Sequence, residues 1–155
     1  MEIRQAADAD REWIRKRLIE GWGSQMVVLR GLLLDASELP ALIFGENEGV
    51  LHHRALDDLT YEIVTLEAYR QWRGIGTALV EHVAEIAKES GYRELTVVTT
   101  NDNLDALRFY QARGFHLFAL RAGAVDNARD LKPEIASRGN YGLPIRDELE
   151  LRRTL

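Results

Sequence analysis

The segments Tyr61-Glu-Ile-Val-Thr-Leu66 and Gln71-Trp-Arg-Gly-Ile-Gly-Thr77 lie four residues apart and decide how the chain folds. The first alternates and is rich in Val, Ile, Thr and Tyr, the composition of a β-strand. After the second, Ile75, Leu79, Val83 and Ile86 recur at helical spacing, which predicts a helix over 75–90. Strand, glycine turn and helix thus follow one another. A helix start leaves backbone N–H groups without carbonyl partners. With the positive end of the helix dipole they form a site for phosphate groups. Gly74 and Gly76 carry no Cβ, so an anion can come close to the backbone. Read alone, the glycine pair fits an ordinary turn and helix start equally well.

Outward from this unit, Glu2 to Gln5 predicts a short strand, and Asp8 or Asp10 the cap of a helix running to about Gly21. Its apolar stripe is Trp13, Ile14, Leu18 and Ile19. Met26 to Asp35 is apolar but interrupted by Gly31, and a strand and a loop-plus-turn both fit it. Ala41 to Gly45 and Val50 to Leu56 flank a polar turn and predict a hairpin. Glu94 to Thr99 is a further strand, Asn103 to Arg113 a short helix ended by Gly114, and Phe115 to Leu120 a strand. Arg121 to Pro144 predicts a long ordered loop with a helical turn near Asp126 to Leu131, and Ile145 to Arg152 the final strand that closes the sheet. The fold class is α/β: a mixed, mostly antiparallel sheet flanked by helices in one domain spanning 1–155.

Composition bounds the function. The chain has 155 residues, 46% hydrophobic and 29% charged, as in ordinary globular domains. There is no cysteine, which removes disulfides, thiolate metal sites and a cysteine nucleophile together and fits a reducing, cytoplasmic setting. A net charge of −5 argues against nucleic acid as a partner. No stretch resembles a charged-then-apolar leader or approaches membrane-spanning length, so no membrane association is expected.

Spacing then narrows the glycine turn. A P-loop needs Gly-Lys-Ser/Thr after four residues, which is absent. The dinucleotide fingerprint needs a third glycine where this chain has Leu79, and Glu94 begins a strand where ribose recognition needs an acid at its end. A second motif, Asn103-Leu-Asp-Ala-Leu-Arg-Phe-Tyr-Gln-Ala-Arg-Gly-Phe115, has the form N-x-x-A-x-x-F-Y-x-x-x-G-F. With the upstream turn, which meets Q/R-x-x-G-x-G/A through Gln71, Gly74 and Gly76, it resembles the GCN5-related N-acetyltransferase (GNAT) superfamily. The resemblance covers roughly Ile3 to Leu120.

The resemblance implies acetyl-CoA as acyl donor, with the strand at Tyr61 to Leu66 splayed from that at Glu94 to Thr99. It implies that Gln71, Arg73, Gly74, Ile75, Gly76 and Thr77 surround the pyrophosphate, the Thr77 hydroxyl serving as a further donor. The strand edge at Val64, Thr65 and Leu66 would meet the pantetheine amides. Arg70 and Arg73 are candidates for the 3′-phosphate. Two positions depart from the family pattern: Trp72 stands where glycine is frequent and Leu66 where valine is. Tyr110 is the implied acid for the leaving thiolate, against a packing role for its ring. Asn103 either caps its helix or contacts the cofactor.

Glu62, four residues before Leu66, is the implied base, since a carboxylate half-buried beside a cleft titrates nearer neutrality. The alternative is a solvated or ion-paired strand glutamate. His52 and His53 are rivals, one expected to face inward and one outward. No metal is expected. The activity implied is direct acetyl transfer to an amine of a small molecule or peptide; the alternative is a non-catalytic acyl-CoA sensor or scaffold. The acceptor would lie near Trp22 to Arg30 and the C-terminal segment, where 121–144 forms either a lid or a subunit interface in a homodimer.

Overall fold

The computed structural model describes residues 2–70 and 74–155. Strand β1 (Ile3–Gln5) leads into helix α1 (Arg11–Trp22), and β2 (Met26–Leu29) with β3 (Leu32–Asp35) forms a separate two-stranded hairpin. Then come β4 (Ala41–Phe44), β5 (Gly49–Ala55) and β6 (Thr60–Ala68), an antiparallel meander. The remainder is α2 (Ile75–Glu89), β7 (Glu94–Thr100), α3 (Leu104–Gln111), β8 (His116–Arg121), α4 (Ala124–Leu131) and β9 (Glu148–Thr154). Met26 to Asp35, for which strand and turn both fitted, is both. Residues 121–144 hold a full short helix rather than a single turn.

The main sheet has the order β1-β4-β5-β6-β7-β9-β8. Its only parallel pair among the described strands is β6 with β7, because the α2 crossover returns the chain in the same direction. The last strand closes the sheet from within: β9 lies between β7 and β8 and leaves β8 at the edge.

Alternation along the strands feeds two cores, one on each face. On the first, α2 buries Ile75, Leu79, Val80 and Val83 against Leu51, Ile63, Leu95, Val97 and Leu151. Each such side chain contributes about 1.5–3 kcal/mol of burial, so this helix is fixed by packing. On the second, Ile14 and Leu18 of α1 and Val27 and Leu29 of the hairpin cover Ile43, Val50 and Val64. Ile19, expected in the α1 stripe, is 52% exposed because the stripe meets the sheet only through its centre.

Register decides where the sheet opens. Strand β6 pairs with β7 from Thr60↔Glu94 to Ile63↔Val97 and no further. On its other side, His52 pairs with Thr65 and His53 with Ile63, so Val64 is an extra residue, a β-bulge. A bulge sharpens strand twist and disrupts the local ladder. From Val64 onward the two strands are apart.

Candidate active site

The gap between β6 and β7 joins two dissimilar spaces. On the α2 face lies a cavity of about 920 Å³ whose wall includes Leu66, Gly74, Ile75, Gly76, Thr77 and Tyr110. Its floor is the open edge of β6. Its upper end is the start of α2, where the helical ladder begins with Ala78 N–H donating to Gly74 O at 2.9 Å. The amides of Ile75, Gly76 and Thr77 therefore lie in the first turn before the ladder begins, an arrangement suited to an anion. The two glycines have different tasks. Gly74 adopts φ +68°, which side chains resist, whereas a Cβ on Gly76 would stand 3.1 Å from Phe109 Cζ. Gly76 thus serves close packing of α2 on α3.

Thr77 Oγ1 accepts a hydrogen bond from Arg113 Nε at 2.8 Å, and the Arg113 guanidinium lies 3.7 Å from the centre of the Phe109 ring. Arg108 and Arg113 both line the cavity, two cations that motif reading missed. Their position flanking the Phe-Tyr pair, on α3 and in the turn after it, was the available signal. Arg70 also lines it and lies 3.8 Å from Glu48. Gln71 and Arg73, expected at the pyrophosphate, and Trp72 lie outside the described residues.

Tyr110 is buried, its ring edge-on to Phe109 and Phe115 at 5.1 and 5.2 Å. Both proposed tasks for this residue are thus compatible: the ring packs, and the side chain also lines the cavity. Burial pushes its phenol up, so it holds its proton at neutral pH. Asn103 accepts from Ala106 N–H at 3.1 Å and caps α3. Thr65 is tied to His52 Nδ1 at 2.6 Å, and Val64 is buried in the second core.

The opposite face of the gap is charged. Glu62 is wholly buried, not half-buried, and both of its oxygens are ion-paired, one with Arg54 Nε at 2.9 Å and the other with Arg30 Nη1. Arg30 stands at the tip of the β2–β3 hairpin and also donates through Nε to Glu150 Oε1 at 3.0 Å. Glu150 further accepts from Thr96 Oγ1 and Arg152 Nε, each at 2.8 Å. Burial alone would push the Glu150 carboxyl up, but hydrogen bonds from Arg30, Thr96 and Arg152 outweigh it and hold it at about 2. Apart from Arg152, two residues along β9 from Glu150, these partners come from other strands or the hairpin, so they were not visible in the sequence.

Both histidines of β5 are buried, contrary to the inward-outward expectation, since this inner strand is covered on both faces. His53 turns to Tyr61 Oη at 2.6 Å. Burial, joined for His52 by its neighbour, holds both near 4, so both are neutral at pH 7. A smaller cavity of about 340 Å³, lined by Arg17, Glu20, Gly21, Glu67, Ala68 and Tyr69, shares Ala68 with the larger one. Among the described residues, no group of His, Asp and Glu is placed to hold a metal ion. No described helix is long and apolar enough to cross a membrane.

Segment 121–144 is bonded to the end of α1, to the start of α3 and to the turn before α3. Lys132 Nζ donates to Trp22 O at the end of α1 (3.1 Å), and Tyr141 Oη donates to Asp105 at the start of α3 (2.5 Å). Asn140 N–H is held by the buried Asp102 at 2.9 Å.

Residues 42–115 match the sequence model of the Acetyltransferase (GNAT) family. The chain is 37% identical over 138 residues to YxbD, an uncharacterized Bacillus subtilis protein, covering 86% of each. It is 36% identical over 132 residues to YdhI of the same organism, covering 83% of this chain and 82% of that protein. Its fold matches an IAA acetyltransferase from Bacillus cereus at TM-score 0.77 and 24% identity, over 99% of each chain. It also matches a GNAT family acetyltransferase from Elizabethkingia anophelis with acetyl-CoA bound, at TM-score 0.70 and 20% identity, over 99% of this chain and 97% of that one.

Proposed function

Since the chain belongs to the GNAT acetyltransferase family, we propose that it moves the acetyl group of acetyl-CoA directly onto an amine of a small molecule or peptide. The observation that carries this reading is the parting of β6 and β7 after Ile63↔Val97, with a cavity on one face and charged groups on the other. Donor and acceptor can meet there without an acyl-enzyme, and the chain has no cysteine to form one through a thiol.

The residues present fit the cosubstrate. When bound, acetyl-CoA supplies an activated thioester. The first turn of α2, with Gly74, Ile75, Gly76 and Thr77, offers amides and a dipole to the pyrophosphate, and Gln71 and Arg73 join them in this reading. The open edge of β6 at Val64, Thr65 and Leu66 presents backbone groups to the pantetheine amides. Arg70, Arg108 and Arg113 give the cavity wall positive charge for the remaining phosphate. Asn103 holds the start of α3 and thereby the Phe109-Tyr110 pair.

Tyr110 retains its proton at neutral pH and can pass it to the leaving thiolate. Glu62 is the base in this reading. Because guanidiniums hold both its oxygens, that role requires Arg30 or Arg54 to give way to the incoming amine. Segment 121–144, pinned to both α1 and α3, acts as a lid over the acceptor.

Titration of acetyl-CoA by calorimetry, followed by an amine panel with thiol-release detection, tests the proposal. Binding with amine-dependent release of CoA is expected. Absence of binding would refute the cofactor assignment. Binding without release from any amine would instead make the chain a sensor.

A further inference from the structure

Arg30 occupies the first position of a two-residue hairpin loop, Arg30-Gly31, with φ +52° and +75°. That geometry favours Asn, Asp or Gly at the first position, because a larger residue with positive φ is strained. Arg30 stands there nonetheless, and its side chain makes the contacts that follow. The guanidinium reaches across the gap to Glu62 on β6 and Glu150 on β9, and the Arg30 amide donates to Glu148 Oε2 at 3.2 Å.

Arg121 approaches the same carboxylates from β8. Its Nε donates to Glu148 Oε1 at 2.6 Å, and its Nη2 lies 3.0 Å from Glu150 Oε1 without the alignment of a hydrogen bond. Arg30 Nη2 and Arg121 Nη2 are both buried and lack hydrogen-bond partners among the described residues. Both arginines are thus on the same Glu150 oxygen, each with one cationic N–H donor group unsatisfied. By direct contact, four guanidiniums (Arg30, Arg54, Arg121 and Arg152) share three carboxylates, Glu62, Glu148 and Glu150. Asp57, the further acid whose charge reaches Arg152, is at the exposed surface. The cluster is short of acceptors. Native structures rarely leave buried donors unmet, and a charged donor is the most costly to leave so.

Register places this shortage beside the reaction site. Glu150 is level with Val98, the first β7 residue beyond the last β6–β7 pair. Arg30 Nε is bonded to Glu150 Oε1 at 3.0 Å, so an amine reaching the gap from this face has to part that pair. We propose that Arg30 and Arg121 form the receptor for a carboxylate carried by the acceptor amine, so that the substrate is an amino acid rather than a simple amine. The planar guanidinium fork suits the two oxygens of a carboxylate. The hairpin that carries Arg30 belongs to its own two-stranded sheet, with Leu32 and Leu33 exposed, so its tip can admit the substrate without breaking the main sheet. The assignment rests on the acetyl-transfer reading for the location of the amine.

The test uses acid–amine pairs that differ only by the carboxylate: β-alanine and ethylamine, 4-aminobutyrate and propylamine, L-leucine and isopentylamine, L-phenylalanine and phenethylamine. CoA release is followed for each, and each is also titrated calorimetrically into protein saturated with CoA. For at least one pair, kcat/KM for the acid should exceed that for the amine by about tenfold or more. That ratio should fall towards one in Arg121→Gln and partway in Arg121→Lys, which keeps the charge but loses the fork. Thermal unfolding confirms that each variant is folded. Binding of an acid and not its paired amine supports the receptor even if no acetyl transfer is detected, which separates it from the catalytic reading. Equal turnover of acids and amines overturns the receptor and leaves the catalytic reading standing. Failure of every acid to bind or react also overturns it.

Discussion

Ile63 and Val97 are the last residues to pair β6 with β7, and Val64, the next along β6, bulges out of register with β5 as well. A single inserted residue therefore marks the point where a continuous sheet becomes a cleft. The cleft has a cavity under α2 and α3 on one face and buried ion pairs on the other. In the proposed reading, the acid, the acceptor and the pyrophosphate are all positioned relative to this cleft.

Tyr110→Phe removes the hydroxyl and keeps the ring that packs against Phe109 and Phe115. Turnover should fall by roughly 10²-fold, within the range for loss of a general acid. Affinity for acetyl-CoA, measured by calorimetry, should stay within about threefold, since in this reading the hydroxyl matters only as the thiolate leaves. An unchanged rate across the pH range would remove Tyr110 as the acid.

Glu62→Gln keeps the shape but removes the charge that Arg30 and Arg54 share. Breaking a buried pair in this way costs up to about 3–5 kcal/mol, so the denaturant midpoint should drop markedly. Turnover of the folded variant should also fall by roughly 10²-fold, within the range for loss of a general base. A variant with lowered stability but intact turnover would leave Glu62 a purely structural role.

Stability should decline as pH falls from about 6.5 to 4 because of His52 and His53. Burial holds both folded-state values near 4, below the unfolded value of about 6.5. Between those limits the unfolded chain takes up protons that the folded chain does not, so unfolding is favoured. Glu150 adds a second loss from about pH 4.5 down to about 2, its depressed value. Urea titrations at stepped pH should show both segments, and His53→Gln should flatten only the upper one.

Gly74→Ala should cost about 1–2 kcal/mol, because a Cβ disfavours its φ of +68° even though the space around it is open. Equilibrium denaturation measures this directly. Gly76→Ala should act differently: its Cβ meets the Phe109 ring, shifting α3 and the cavity wall. Acetyl-CoA affinity should therefore fall more in Gly76→Ala than in Gly74→Ala.

Lys132→Met should release the segment after α4 from the end of α1, where Lys132 now caps Trp22 O. Hydrogen exchange in 132–144 should speed up while exchange in α2 stays protected. If the segment is a lid, KM for the acceptor should rise more than KM for acetyl-CoA.

Most of the fold was legible because it is written in short periods. Alternation at Tyr61 to Leu66 and helical recurrence at Ile75, Leu79 and Val83 need only neighbouring residues to be read. The Arg30-Gly31 turn was harder, since an arginine at positive φ carries no turn signal. Gly76 was legible as a glycine but not for its reason, the Phe109 ring that lies against it. Glu62 was legible as a strand carboxylate near the cofactor strand, whereas its burial depends on Arg30 and Arg54.

The sequence by itself determined the family, the order of strand, glycine turn and helix, and the Phe109-Tyr110 pair, because these are local patterns and fixed spacings. Tertiary structure decided which charges meet. Arg30, Glu62, Arg121 and Glu150 are separated by up to 120 positions yet converge on one oxygen network. That convergence follows from strand order, with β9 slipped between β7 and β8, and from a hairpin folded over the gap. Pairing across a sheet is set by register and twist over the whole domain, and no local period encodes it.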